Sequence, residues 1–207
     1  MSIKDLKNNP SYSLLLVLPH DEMAPFISEQ FSGKTMAVRG YLALNFLLVA
    51  IILLIATFDI RNEAIDIWSV MKYFGAGSIL FFIVLVIIHE GLHGLAYKLV
   101  GAPKISFGAN WRMFYFYAVA DRFVIRRKSF IFIALIPFVV ISVLVLAAMF
   151  VAPIHWKWLL FGILFIHTTA CAGDFAMLGF YERYRNAREM LTYDDVSEKR
   201  SYFYLKE

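Results

Sequence analysis

The chain has 207 residues, 60% of them hydrophobic and 17% charged, with a formal net charge of +4. Ordinary soluble domains are about half apolar and about a quarter charged, so this composition excludes that class. The cations flank apolar blocks rather than forming a basic face, which points to a lipid bilayer and not to nucleic acid as the partner, and the one cysteine, Cys171, excludes an intramolecular disulfide.

The opening residues do not read as a secretory signal, because Lys4, Asp5 and Lys7 precede a short Leu14 to Leu18 run that Pro19 stops. A short strand is expected over Tyr12 to Leu18. Four apolar blocks follow: Gly40 to Phe58, Phe74 to Val100, Ser129 to Val151 and Trp158 to Phe180. Each has the length of a membrane-crossing helix, for which about 20 residues suffice. The first and third carry no charge, whereas the second and fourth hold the polar groups at membrane depth. Between the second and third, Lys104, Ile105, Ser106, Phe107 and Gly108 alternate polar with apolar, and Trp111 to Ala120 is rich in aromatic and β-forming residues. A β-hairpin at the membrane interface is expected there, with an aromatic interfacial loop as the alternative. Strand Tyr12 to Leu18 would lie beside it. The tail from Tyr181 mixes acids and bases and predicts an amphipathic helix followed by loop. The expected fold is an α-helical membrane protein of about four transmembrane helices with a small interfacial β-hairpin. Residues 1–39 form an N-terminal segment, 40–180 the membrane core and 181–207 a C-terminal tail.

Lys and Arg number four before the first span, then two, six, one and six in the successive connections and the tail. That alternation places both termini in the cytoplasm by the positive-inside rule. Trp68, Tyr73, Trp156 and Trp158 would form the aromatic belt on the opposite side.

His89-Glu90-Gly91-Leu92-His93 lies inside the second span. Two histidines four apart share a helix face and can share a metal, and the glutamate beside the first can act on a metal-activated water. Buried in hydrocarbon, such a cluster is costly without a ligand. A hydrolytic zinc site takes a third protein ligand, and helical rise estimates its depth. His89 and His93 lie roughly 22 and 28 Å from Phe74, and His167 and Asp174 roughly 15 and 25 Å from Lys157 on a span running the same way. Asp174 falls between the two histidines in depth and is the expected third ligand. His167 would line the cavity or support a ligand, and Cys171 would be a packing residue. Gly91, Gly94 and Gly173 would permit close helix contacts.

With His89-Glu90-Gly91-Leu92-His93-Gly94 on one span and Gly173-Asp174 on a later one, the chain resembles the site-2 protease type of intramembrane metalloprotease. More narrowly it is similar to small bacterial membrane proteins described as a "putative zincin peptidase" family. Arg122 to Pro137 resembles the entry to the third core helix of that type, and the stretch from Phe107-Gly108 occupies the place of its membrane-associated hairpin. The chain departs from the type in having Phe175 after Asp174, which leaves His167 as the candidate oxyanion-stabilising group, and it has no PDZ-type domain. The resemblance implies Zn2+, membrane-protein or peptide substrates, and an integral location in a bacterial inner membrane. The combined expectation is peptide-bond hydrolysis with metal ligands His89, His93 and Asp174 and Glu90 as the proton-transferring group. The unwound substrate would pair with the edge Lys104 to Gly108. The alternative is a non-proteolytic metal-binding membrane protein, either a transporter or an inactive scaffold.

Overall fold

The computed structural model describes residues 1–33, 35–110 and 115–206. Residues 111–114, part of the aromatic stretch of the expected hairpin, lie outside the described residues. Among the described residues, four helical stretches are long and apolar enough to cross a membrane: Met36–Arg61, Ile67–Leu99, Arg127–Val151 and Ile154–Arg183. They contain the four expected blocks. The chain groups into two compact units, one formed by residues 1–38, 90–136 and 174–207, the other by 39–89 and 137–173.

The second unit is helical. Within it lies most of α3 (Met36–Arg61), whose apolar stretch is only 6% buried. Phe46 and Leu54 are 78% and 70% exposed. A helix apolar on every side and bare of protein is one solvated by lipid. Helix α4 (Ile67–Leu80) starts where the Asp66 carboxylate accepts the Ser69 N–H at 3.0 Å. It packs along α7 (Ile154–Ala170) through a reciprocal glycine contact. A Cβ on Gly77 would fall 1.9 Å from the Leu159 carbonyl oxygen, and one on Gly162 would fall 2.0 Å from that of Phe74. Small residues let two backbones meet where apolar packing alone gains little over lipid. The expected close contacts are therefore displaced. Nothing stands near a Cβ built on Gly91, and Gly94 faces Phe107 of the hairpin. Trp158, expected in the interfacial belt, is instead 1% exposed in the core with Ile52, Ile65 and Val70, while Trp68 and Trp156 are exposed.

The first unit contains two antiparallel sheets. Strands β2 (Ile105–Asn110) and β3 (Tyr115–Ala120) form the expected hairpin, with Ile105 opposite Ala120 and Asn110 opposite Tyr115. The other sheet, of four strands in the order β1 (Ser13–Pro19), β6 (Arg200–Lys206), β5 (Glu189–Asp195) and β4 (Ile125–Arg126), was not foreseen. Strand β1 (Ser13–Pro19) pairs with β6 (Arg200–Lys206), so the N-terminal strand exists but does not lie beside the hairpin. The tail is also corrected. After α8 (Ala172–Arg183) it forms β5 (Glu189–Asp195) and β6, not a helix and loop. Met190 to Tyr193 and Tyr202 to Tyr204 are short contiguous runs, buried along β5 on both faces, and tyrosine, phenylalanine and threonine have high strand preference. Tyr193 stacks on Tyr202 with ring centroids 4.8 Å apart. Strand β4 (Ile125–Arg126) joins β5 and leads directly into α6 (Arg127–Val151). An aromatic cluster of Phe26, Phe180, Tyr181 and Phe203 closes the core beneath the sheet.

Candidate metal centre

His89 and His93 stand one turn apart on α5 (Val86–Leu99), so helical geometry alone puts their rings on one face. Immediately before α5 the helix widens into a π-helical segment, Phe81–Leu85. Such segments cost helix stability and concentrate at functional sites. Both histidines are buried, at 6% and 8% exposure, on a span whose apolar stretch is only 11% buried. The motif is thus turned toward protein, not lipid. Glu90, the next residue along, is half-buried.

A proline sets the orientation of His93. Pro137 lies inside α6 and has no N–H, which leaves the carbonyl four residues back, that of Ile133, without its helical donor. His93 Nδ1–H donates to that oxygen at 3.0 Å. Because a carbonyl only accepts, the proton sits on Nδ1 and the Nε2 lone pair is left for a ligand. This supporting role was not read from the sequence, although a proline in an apolar span always frees the carbonyl at i−4 and could have pointed to it.

His93 Nε2 lies 3.3 Å from Asp174 Oδ1. Two ligand atoms about 2.0–2.1 Å from a tetrahedral zinc are separated by about 3.3 Å. His89 precedes His93 by one helical turn on the same face of α5. The donor set, two imidazoles and a carboxylate, fits zinc. Asp174 does not sit on an unbroken fourth helix as the depth estimate assumed. Helix α7 ends at Ala170 and Cys171 caps it, so Asp174 occupies the first turn of α8. There the helix dipole favours a carboxylate, which the continuous-helix picture would not supply.

The same break changes the surroundings of His167. It is fully buried, its ring centroid 5.6 Å from that of His89, with Phe81 and Phe138 against it. The ligand atoms of His89, His167 and Cys171 form a second group within 4.8 Å. His167 was expected a turn or more away along the cavity wall, and Cys171 as mere packing. Each instead stands within ligand reach of His89: one helical turn apart, with the Cys171 N–H donating to the His167 carbonyl at 3.2 Å, they share one face of α7.

The hairpin meets α5 one residue past the motif. A Cβ on Gly94 would fall 2.7 Å from the Phe107 ring. Lys104 is held by Asp121 at 3.2 Å. Among the described residues β2 pairs only with β3, so the edge carrying Lys104 to Gly108 is unpaired.

No curated protein and no solved structure matches the chain. A family model described as "putative zincin peptidase" matches residues 82–186, just over half of the chain. The matched stretch includes His89, Glu90, His93, Pro137, His167, Cys171 and Asp174. With more than half of the chain matched, and both motif histidines and Asp174 inside the matched region, the chain belongs to this zincin peptidase family.

Proposed function

We propose that this is an intramembrane zinc metalloprotease that hydrolyses peptide bonds of membrane-associated substrates. The observation that carries the reading is the 3.3 Å approach of His93 Nε2 to Asp174 Oδ1 on apolar, membrane-length helices. His89, His93 and Asp174 would hold the ion, and bound zinc supplies Lewis acidity and a water that ionises near neutral pH. Glu90 accepts the proton of the attacking water and returns it to the leaving amine. Ile133 and Pro137 keep the His93 ring in register. His167 is the candidate donor to the developing oxyanion. A substrate helix must unwind before its carbonyls can be reached, and the free edge of β2 offers the freed strand hydrogen-bonding partners.

Purified protein carrying Glu90→Gln is expected to retain one zinc per chain by elemental analysis. It should cleave no membrane-protein substrate that the parent protein cleaves. A variant as active as the parent would sink the assignment. A second reading, a non-proteolytic metal-binding membrane protein, is favoured by the buried His89, His167 and Cys171 group, whose thiolate and imidazoles suit a structural site. Zinc retained by a protein with no chelator-sensitive peptidase activity would favour it.

A further inference from the structure

A cleft of about 790 Å³ opens at the foot of α6, lined by Arg126, Arg127, Lys128, Arg188, Lys206 and Glu189. Five of these are cations and one is an acid. That acid is already engaged: Arg126 Nε lies 3.4 Å from Glu189 Oε1, and the Tyr12 hydroxyl donates to Oε2 at 2.5 Å. Among the described residues no carboxylate pairs with Arg127, Lys128, Arg188 or Lys206. Arg127 is fixed in place by donating to the carbonyls of Arg185 at 3.0 Å and Tyr184 at 2.5 Å. Those oxygens orient the guanidinium without neutralising it, and its Nε is buried with no hydrogen-bond partner. The first turn of α6 adds unpaired N–H groups and the positive end of a 25-residue helix.

We propose that this cleft binds a phosphate group, and specifically the headgroup of an anionic phospholipid. The location selects the source. Arg127 is the first residue of a membrane-length helix, so the cleft lies at the end of a span, where headgroup phosphates sit. Guanidinium groups recognise phosphate through paired N–H donors, and a preoriented Arg127 loses little freedom in doing so. Basic pockets at membrane-helix ends are a recurrent solution for holding acidic lipid headgroups. The bound lipid would clamp β4, β5 and α6, the last of which presents the Ile133 carbonyl to His93. The proposal does not rest on proteolysis and can be tested without it.

Full-length protein in a neutral detergent is titrated with phosphatidylglycerol, phosphatidylcholine, inorganic phosphate and glycerol 3-phosphate, and bound adducts are counted by native mass spectrometry. Phosphatidylglycerol should bind saturably and at least roughly tenfold more tightly than phosphatidylcholine. The double variant Arg188→Gln/Lys206→Gln should weaken it by roughly 25-fold, at about fivefold per cation, with an unchanged circular dichroism spectrum. Arg127→Lys, which keeps the charge but loses the fork, should weaken it as well. Displacement of the lipid by glycerol 3-phosphate or inorganic phosphate would support the phosphate as the group recognised. Equal binding of the two lipids, or a double variant that binds phosphatidylglycerol as well as the parent, would overturn the proposal and leave the cations as determinants of topology alone.

Discussion

At the residue scale, the first question is which atoms accompany His89. The proposed partner Asp174, which lies beside His93, and the pair His167 and Cys171, which lies beside His89, differ in softness. A carboxylate oxygen gives a bound cobalt(II) ion no thiolate charge-transfer band, whereas Cys171 Sγ would. For the proposed set, cobalt-loaded protein should lack that near-ultraviolet band. Asp174→Asn should weaken metal binding by at least roughly tenfold, in proportion to the loss of an anionic ligand, and Cys171→Ser should not. A band that vanishes in Cys171→Ser would reverse the ligand assignment.

A second residue-scale contrast lies at the end of β5. Burial, with the Asp121 carboxylate nearby, pushes Asp194 up to about 6, although the Ser201 hydroxyl donates to it at 2.5 Å. Its neighbour Asp195 is held down at about 2 by the Ser197 hydroxyl and by Arg122. The signs are opposite. The folded protein binds a proton at Asp194 more tightly than the unfolded chain does. That contribution is complete below about 3.8 and is lost as pH rises through about 6. The Asp195 contribution is present above about 3.8 and is lost as pH falls through about 2. The Asp194 shift corresponds to a cost on the order of 2–3 kcal/mol at neutral pH. Thermal unfolding in detergent should show the parent losing stability between pH 4 and 6 relative to Asp194→Asn, whose amide still accepts from Ser201. Parallel curves for the two proteins would contradict the assignment.

At the scale of elements, α6 bends the rules of a membrane helix for a purpose. A proline in a helix interior costs about 3 kcal/mol relative to alanine when nothing compensates. Here the orphaned Ile133 carbonyl takes a hydrogen bond from His93. Pro137→Ala restores an N–H that competes for the same oxygen. The variant should be at least as stable to heat as the parent, yet bind zinc some 10- to 100-fold more weakly, the usual effect of losing a support behind a histidine ligand. Unchanged zinc affinity would show that Ile133 does not orient the ring. The glycines of the α4 and α7 contact make a complementary point. The idea that small residues mark close helix contacts was sound, but it was attached to Gly91 and Gly94 because they adjoin the motif. Composition says which residues permit close approach, and only the packing of two particular helices says which pair, Gly77 and Gly162, uses it.

At the scale of the whole molecule, the segments that flank the spans are not appendages. Strand β6 is paired on both edges, with β1 from the N-terminal segment and β5 from the tail. A chain ending at Lys199 would leave β1 and β5 without their common partner and Tyr193 without the stacked Tyr202. That truncation should reduce the near-ultraviolet tyrosine signal and expose β1 and β5 to proteolysis, while far-ultraviolet helicity from the spans persists. A truncated protein as protease-resistant as the parent would mean that the sheet contributes little.

The spans, the hairpin and the paired histidines were legible in the sequence because each is a local property. A run of about 20 apolar residues, an alternation of period two and a spacing of four carry their meaning within one segment. Asp174 was also within reach, since helical rise converts position into depth even when the helix is later found to break. Three features were decided only by tertiary structure. The pairing of β1 with β6 joins residues more than 180 positions apart, and no local pattern in Leu14 to Leu18 names its partner. The hydrogen bond from His93 to Ile133 depends on α5 and α6 lying side by side, and Pro137 frees the carbonyl without saying what will claim it. The approach of His167 and Cys171 to His89 depends on how two helices distant in sequence pack, which no pattern within either helix states.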